Sequence, residues 1–209
     1  ILEKDIIINQ FDKFDEVQSN TFLYSLSNNL LDVFIKNKTL GEIAKPKQGL
    51  ATGDNGSFVR FWHEVNFKKI AFHKSSYEEF ESSNLIYTPY NKGGKYRKWY
   101  GNNSFVIKFD KKSKEILSNQ GNHLPSKTYY FKEGITYSLI GNSSFCARKY
   151  YEGHLFDVIG SAFFSDKEIE YLLLGLVNWI IGTYLLTKLN PTIAFQVGDI
   201  CNIPIVVPE

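Results

Sequence analysis

Methionine is absent from this sequence of 209 residues, which begins Ile1-Leu2-Glu3-Lys4. The opening residues also lack the basic stretch and the apolar stretch that together form a secretory signal peptide. A chain without an initiator methionine is expected to be processed or to be taken from a longer protein. We favour the second expectation, a piece of a larger protein.

Cysteine and histidine are scarce. Cys146 and Cys201 form no CxxC pair, and the four histidines are scattered without HExxH spacing. Two cysteines make a weak disulfide framework for a chain of this size, so a reducing cytoplasm is the expected location. Structural roles are favoured over metal binding or catalysis for all six residues.

Motifs of catalysis are also missing. There is no GxSxG nucleophile elbow, and Thr88-Pro89-Tyr90 lacks the Asn/Asp-Pro-Pro-aromatic core with which amino-methyltransferases hold a target amine. No FxGxG cofactor loop occurs. We therefore expect no catalytic residue, no bound cofactor and no metal site in this chain.

The remaining composition is that of an ordinary globular protein, with 43% hydrophobic and 22% charged residues. No low-complexity linker or internal repeat divides the chain, which predicts a single domain over residues 1–209. Aromatic residues are unusually frequent, at 16%. We expect most of these rings to lie in the core.

Hydrophobic spacing predicts an α+β fold with a mixed or antiparallel sheet and a few helices. Apolar residues at three- and four-residue steps predict a helix over 21–38, and a short helix is expected over 111–118. Residues 1–20 are expected to form an entry strand or loop, and residues 198–208 a capped turn and a terminal strand. Short β-like runs occupy residues 58–62, 85–88, 105–109, 135–140 and 154–159.

Residues 166–189 give the clearest helix prediction, with acidic residues in the first turn and a long apolar run after them. A membrane span is the alternative, because a span needs about 20 predominantly apolar residues. Gly175, Asn178 and Gly182 interrupt this run, and no second span accompanies it. We therefore predict a buried core helix and no membrane partner.

Charge is distributed unevenly although the net charge is only +2. Residues 60–150 hold 16 Lys/Arg against 7 Asp/Glu, whereas residues 1–59 and 151–209 are both net acidic. A basic middle between acidic flanks indicates a polyanionic partner. The alternative is a run of solvated surface lysines.

The densest functional signal lies in residues 90–103, YNKGGKYRKWYGNN, hereafter the basic aromatic segment. Lys and Arg neutralise phosphates, Arg and Asn can also bond base edges, and aromatic rings can stack on a base or pack on a sugar. This mixture predicts contact with nucleic acid. The alternative is an exposed hairpin whose aromatic rings pack back onto the core.

A second candidate is the glycine-rich loop, residues 49–56 (GLATGDNG). Thr52, Asp54 and Asn55 could read a base edge or orient the backbone there. The loop is not a P-loop, because no Lys-Ser/Thr pair follows its last glycine. A structural turn is an equally good interpretation.

Longer segments of the sequence identify a family resemblance. They are residues 45–55 (KPKQGLATGDN), 58–65 (FVRFWHEV), 89–94 (PYNKGG), 97–103 (RKWYGNN), 131–138 (FKEGITYS), 189–192 (LNPT) and 195–200 (FQVGDI). In this order they resemble the C-terminal half of PglX-type adenine-specific DNA methyltransferases. Those enzymes belong to BREX phage-defence systems and are related to type IIG restriction-modification enzymes. Residues 40–44 and 203–205 are also similar to the target-recognition domains of type I specificity subunits.

The resemblance implies a target-recognition domain that selects a DNA site for N6-adenine methylation. A separate methyltransferase domain of the same protein would bind S-adenosylmethionine, and the acidic C-terminal third would be scaffold or would dock onto that domain. We expect double-stranded DNA to contact Thr52, Asn55, Arg60, Lys92, Lys95, Tyr96, Arg97, Lys98, Trp99, Tyr100, Asn102 and Asn103, with help from Arg148 and Lys149.

Other classes of function stay open at this point. A protein-interaction module would use the same basic and aromatic residues to bind an acidic partner, such as a DNA-mimicking inhibitor or another defence-system protein. An enzyme domain, a nuclease or a complete transferase, would bind S-adenosylmethionine or cut DNA in a metal-dependent reaction. Carbohydrate binding through the aromatic rings is a further alternative.

Overall fold

The computed structural model describes residues 27–140 and 144–206. These residues contain eight α-helical segments and eight β-strands. The helices are α1 (Asn28–Lys36), α2 (Leu40–Ile43), α3 (Asn55–Phe58), α4 (Tyr77–Ser82), α5 (Lys111–Asn119), α6 (Lys167–Asn178), α7 (Ile180–Leu189) and α8 (Val197–Cys201). The strands are β1 (Lys45–Lys47), β2 (Val59–Phe61), β3 (Tyr87–Asn91), β4 (Phe105–Lys108), β5 (Gly134–Tyr137), β6 (Ala147–Tyr150), β7 (Leu155–Phe156) and β8 (Ala162–Phe164). This α+β architecture confirms the predicted fold class.

The strands form two four-stranded sheets. The first sheet has the order β1-β8-β5-β6 and is antiparallel throughout. The second sheet has the order β2-β4-β3-β7, in which only the β3–β7 pair is parallel. The chain therefore passes back and forth between the two sheets, and each sheet combines strands from distant parts of the sequence. Strand β6 forms one edge of the first sheet.

Side chains of the first sheet alternate between two hydrophobic cores, as the pleat of a strand requires. Ile135, Tyr137 and Phe163 join the core that α1, α6 and α7 cover. Ala162 and Phe164, which flank Phe163 on β8, belong to the core shared with the second sheet. The first sheet thus lies between a helical layer and the second sheet.

Asn91, at the end of β3, links the two sheets. Its buried side chain donates to the hydroxyl of Thr136 on β5 and to the carbonyl of Gly160, 2.9 Å away. A buried amide whose donors are both satisfied is stabilising, whereas an unpaired one would be costly. This junction fixes the point from which the basic aromatic segment leaves the second sheet.

The helix predicted over residues 166–189 is broken at Trp179, which has extended backbone between α6 and α7. The side chain of Asn178 bonds the backbone of β6 there. A Cβ atom on Gly182 would lie 2.7 Å from the carbonyl oxygen of Leu176, so α7 approaches α6 more closely than a larger residue allows. Tertiary contacts therefore override the continuous helical periodicity, although the predicted burial of this region is confirmed by Leu173, Leu174 and Val177.

No single helix in residues 27–140 and 144–206 is long and apolar enough to cross a membrane. The α6–α7 pair reaches such a length only when both helices are taken together, and the two are bent by 73°.

Other predicted elements are met in part. The described part of the helix predicted over 21–38 contains α1, the helix over 111–118 is present as α5, and the runs over 58–62, 85–88, 105–109 and 135–140 each overlap a strand. The run over 154–159 is a two-residue strand followed by a 3-10 helix, and β1, β6 and β8 were missed. The terminal segment forms α8 and then a single bridge between Pro204 and Thr39. Predictions for residues 1–26 and 207–209 fall outside the described ranges.

Candidate nucleic-acid interface

The basic aromatic segment runs from β3 of the second sheet to the edge of the first sheet and back to β4. At its midpoint Trp99 pairs with β6. The amide of Trp99 donates to the carbonyl of Ala147 at 3.0 Å, and the amide of Lys149 donates to the carbonyl of Trp99 at 2.9 Å. The segment therefore covers the β6 edge, whose backbone groups would otherwise be unpaired.

Arg148 supports the segment from beneath. Its guanidinium donates to the carbonyl of Arg97 at 3.2 Å and to the hydroxyl of Ser138 at 3.1 Å, and that hydroxyl donates to the carbonyl of Gly94 at 3.0 Å. Burial lowers the pKa of the Arg148 guanidinium, and the neighbouring Cys146 partly offsets the shift. Because its side chain is fully buried, Arg148 does not fit the DNA contact predicted for it, and it holds the loop instead.

Lys149 is also enclosed, on the opposite side of β6. Its ammonium group pairs with the carboxylate of Glu170 on α6 and lies 3.4 Å from a carboxylate oxygen of Glu133. The exposed fractions of the Lys149 and Glu170 side chains are 7% and 6%. The prediction that Lys149 grips DNA is therefore not supported, because its charge is used inside the fold.

Lys98 anchors the segment to the end of α6. Its ammonium group donates to the carbonyl of Asn178, the last residue of that helix, where carbonyls have no partner within the helix and the helix dipole is negative. The side chain of Asn178 in turn bonds both the amide and the carbonyl of Ala147, each at 2.9 Å. Lys98, which was expected to contact DNA, is thus held against the protein.

The glycine-rich loop meets the basic aromatic segment at Lys92. The Lys92 ammonium group lies 2.7 Å from Asp157 Oδ2 and donates to Asn55 Oδ1 at 3.1 Å. Thr52, which is buried, donates to the same Asn55 oxygen at 2.9 Å. Two donors therefore fix the orientation of the Asn55 amide and turn its nitrogen away from Lys92. The two segments chosen from the sequence are neighbours in space.

Asp157 is the buried acceptor at this junction. It takes a hydrogen bond of 2.6 Å from the hydroxyl of Tyr90 as well as the contact with Lys92. Burial, followed by the negative charge of Asp157, raises the pKa of Tyr90 well above its ordinary value. Tyr90 therefore stays protonated and acts as a donor that holds the start of the segment.

Arg60 lies on the other side of the glycine-rich loop, where α3 passes into β2. One of its guanidinium nitrogens donates to the carbonyls of Gly56 and Val59. Asp54 caps α3 by accepting a hydrogen bond of 3.1 Å from the amide of Ser57. These contacts give the loop a fixed shape and leave Arg60 partly exposed.

A set of side chains on the segment does face solvent. Lys95 and Arg97 are exposed, and so are the rings of Tyr96, Trp99 and Tyr100, at 57%, 54% and 62%. Asn103 is exposed as well, whereas Asn102 is partly buried and donates to the carbonyl of Lys95 at 2.9 Å. We call Lys95, Tyr96, Arg97, Trp99 and Tyr100 the exposed crest.

Backbone strain accompanies this exposure. Trp99 and Asn102 have φ values of 74° and 62°, a region that non-glycine residues enter at a cost of about 1–3 kcal/mol each. Gly101, with φ 123°, approaches Arg97 so closely that a Cβ atom would lie 2.9 Å from Arg97 Cδ. The surrounding contacts therefore impose the conformation of the crest.

Further exposed aromatic residues escaped sequence reasoning. Phe61, Trp62, Phe67, Phe72 and Tyr151 are 38–62% exposed, and several of them line a pocket beside the crest that also contains Tyr100 and Asn103. The only signal in the sequence is a high local density of aromatic residues, which does not distinguish rings in the core from rings in water. Within residues 27–140 and 144–206 no group of three His, Cys, Asp or Glu side chains could hold a metal ion.

Comparison with known proteins identifies relatives. No protein-family model matches the chain. It is 32% identical over 201 residues to the adenine-specific methyltransferase PglX of Lacticaseibacillus casei (strain Zhang). The aligned region covers 92% of this chain and 17% of that protein. It is 30% identical over 199 residues to the adenine-specific methyltransferase BrxX of Escherichia coli O9:H4 (strain HS). Here the aligned region covers 92% of this chain and 16% of that protein. The chain spans about a sixth of the length of these relatives. Over nearly its whole length it is therefore similar to one segment of the PglX and BrxX adenine-specific methyltransferases, as the sequence motifs predicted.

Proposed function

We propose that this chain is the sequence-specific target-recognition domain of an adenine-specific N6 DNA methyltransferase in a phage-defence or restriction-modification system. The observation that carries the proposal is the exposed crest, in which two cations and three aromatic rings are held out from the fold by contacts to both sheets. The similarity to PglX and BrxX supports the methyltransferase context.

Lys95 and Arg97 are the cations of the basic aromatic segment that are available to double-stranded DNA. Lys92, Lys98 and Lys149 bond groups of the protein, whereas Lys95 and Arg97 are exposed on the crest. Cations of this kind supply phosphate contacts that fix the register of a protein on the duplex, and Arg can also bond a guanine edge through two donors. Tyr96 and Trp99 are exposed neighbours of these cations in the sequence and would shape the groove-facing surface.

Asn55 is the best-oriented candidate for reading a base. Its amide oxygen is occupied by Thr52 and Lys92, so the exposed nitrogen is left to donate to a base acceptor. Asn103 carries an exposed amide at the other end of the site. Base contacts specify sequence whereas phosphate contacts position the protein, so specificity would depend on these amides together with Arg97.

Methyl transfer itself is assigned to another part of the protein. S-adenosylmethionine would be bound by a methyltransferase domain of the same polypeptide, in the cytoplasm. That domain would dock on the acidic C-terminal third of this chain, where Trp179, Ile180 and Tyr184 are 41–75% exposed around the break between α6 and α7. Other defence-system proteins and DNA-mimic inhibitors would compete for the crest.

The decisive experiment is neutralisation of the two crest cations. The double variant Lys95→Gln/Arg97→Gln is compared with Lys36→Gln/Lys167→Gln, which removes the same charge from two exposed lysines on α1 and α6. Duplex affinity is measured over a series of salt concentrations. Loss of two phosphate contacts should lower the slope of log affinity against log salt by about 2, and the control should change it little. Unchanged affinity and slope in the crest variant would refute the proposal.

A further inference from the structure

An aromatic pocket lies on the second sheet beside the exposed crest. Its volume is about 380 Å³, and Pro89 and Phe105 contribute to its lining from neighbouring strands. Phe67 and Phe72 line it from the connection between β2 and β3, and Tyr100 and Tyr151 line it from the edge of the first sheet. None of the residues to which we assigned a phosphate contact lines this pocket.

The lining rings form two pairs that are open to water. The ring centroids of Phe67 and Phe72 are 5.1 Å apart, and those of Tyr100 and Tyr151 are 6.4 Å apart. The exposed fractions are 62% for Phe67, 38% for Phe72, 62% for Tyr100 and 46% for Tyr151. Clusters of exposed aromatic rings mark binding sites, because monomeric proteins rarely leave contiguous apolar surface in water.

Backbone contacts hold both pairs in place. Tyr100 follows Trp99, which is paired with β6, and Tyr151 follows the last residue of β6. On the other side, the amide of Ala71, next to Phe72, donates to the carbonyl of Tyr87 on β3 at 2.7 Å. The pocket is therefore preformed, and a flat ligand would enter it without first ordering its walls.

The polar groups around the pocket suit a nitrogen heterocycle attached to a phosphate backbone. Asn103 lines the pocket, and its side-chain amide has no hydrogen-bond partner among the described residues. An asparagine amide can bond adenine through its amino group and N7. Lys68 and Lys69 are exposed beside Phe67, where they can meet phosphates on either side of a bound base.

We propose that this pocket takes an unstacked nucleobase of the DNA, with adenine favoured, between the Phe67–Phe72 pair and the Tyr100–Tyr151 pair. The inference rests on the proposed function, because DNA must first be held on the crest. Aromatic side chains bind unstacked bases by stacking, and the energetic cost of removing a base from the duplex is smallest when that base has no partner.

Trp62 provides a reporter, since it lines the pocket and is one of three tryptophans in the chain. Affinity is measured on the wild-type chain, and fluorescence on the variant Trp99→Phe/Trp179→Phe, which keeps a ring at both positions and leaves Trp62 as the single indole. A duplex with one unpaired adenine bulge should quench its fluorescence, and it should bind about tenfold more tightly than the same duplex fully paired. Equal affinity for the two duplexes, or quenching that is the same for both, would overturn the inference.

Phe67→Ala tests the pocket without touching the basic aromatic segment. It should abolish the preference for the bulged duplex and leave affinity for the paired duplex within about twofold, whereas Phe67→Tyr should keep the preference because a ring remains. Tyr171→Ala removes a ring that is 70% exposed on α6 and should change neither affinity. If Phe67→Ala still binds the paired duplex and keeps the same preference for the bulged duplex, the nucleobase pocket is refuted and the proposed function is not. Failure of the wild-type chain to bind any duplex would refute the proposed function.

Asn103→Ala tests the choice of base. It should reduce the preference for a bulged adenine over a bulged thymine by about tenfold, because the amide that accepts from adenine N6 and donates to N7 is lost. Retention of the same adenine preference would show that Asn103 does not read the base. Quenching of Trp62 by an acidic protein but by no oligonucleotide would contradict a nucleobase site and indicate a protein-docking pocket.

Discussion

The guanidinium of Arg148, buried at the edge of the first sheet, donates a hydrogen bond to the backbone carbonyl of the exposed Arg97, 3.2 Å away. Among the described residues, the guanidinium of Arg148 donates to a carbonyl, a hydroxyl and a thiol. None of these acceptors is a carboxylate. A buried cation beneath an exposed one therefore fixes the loop through dipoles. It leaves the positive charge of that face uncancelled.

Replacement of Arg148 by methionine should loosen the crest more than it weakens the fold. The variant removes the donors to Arg97 and Ser138, which costs about 1–3 kcal/mol for each buried group left without a partner, but it also removes the desolvation cost of a buried charge. We expect the free energy of unfolding to change by less than about 2 kcal/mol. Proteolytic cleavage within residues 90–103 should become faster, and duplex affinity should fall at least fivefold.

Arg148→Lys is the matched variant for that measurement. It keeps the charge and one donor group but cannot reach two acceptors in the same geometry, so its cleavage rate should lie between those of the wild type and Arg148→Met. Cleavage and DNA affinity that are unchanged in the methionine variant would show that Trp99 and Lys98 hold the loop without Arg148.

Asn178 is expected to be a large single contributor to stability, because its side chain closes a pair of hydrogen bonds with Ala147 on β6. Asn178→Ala leaves the buried amide of Ala147 without its side-chain acceptor, whereas the carbonyl of Ala147 still accepts from the amide of Trp99. We expect the free energy of unfolding to fall by about 1–3 kcal/mol in urea denaturation. Asn119→Ala, which removes an exposed asparagine contact on α5, should cost less than about 1 kcal/mol. Equal effects of the two substitutions would be inconsistent with this role.

His154 should make the fold sensitive to acid. Burial lowers the pKa of His154 below its ordinary value of 6.5, and the nearby His73 lowers it further, whereas hydrogen bonds to the carbonyls of Glu152 and Tyr151 act in the opposite direction. Below pH 6.5 the unfolded chain therefore binds a proton more readily than the folded chain, so the free energy of unfolding should decrease as the pH falls.

The measurement is urea denaturation above and below pH 6.5 for the wild type and for His154→Gln, which retains a side-chain donor. The decrease in stability on acidification should be smaller in the variant, since the titrating imidazole is gone. An identical pH dependence in the two proteins would assign the acid sensitivity to other groups.

Local sequence patterns were sufficient for much of the secondary structure. Apolar residues at helical spacing predicted α1, and the short β-like run over 105–109 predicted β4. β6 was missed because Arg148 and Lys149 give it a polar sequence, and both are buried only because distant residues supply their partners. The break at Trp179 was missed for the same physical reason, since the side chain of Asn178 finds its donor and its acceptor on another element.

The candidate site was predicted as two segments but not as a surface. Sequence composition pointed to residues 49–56 and 90–103, and the contact between Asn55 and Lys92 joins them. Composition could not separate the exposed Lys95 from the anchored Lys98, because both are lysines in the same basic run. Exposure of Phe67 likewise depends on tertiary packing, which a single sequence does not reveal.

The pairing of Trp99 with β6 divides the basic aromatic segment into two short loops, one before the clamp and one after it. Each loop begins and ends on a fixed strand position, and the two loops also contact each other, since Asn102 donates to the carbonyl of Lys95 and Gly101 packs closely against Arg97. Lys95 and Arg97 lie in the first loop and Asn103 lies in the second. Under the proposed function, a substitution in one loop would therefore also alter the other, and the two halves of the DNA-facing surface would have to diversify together.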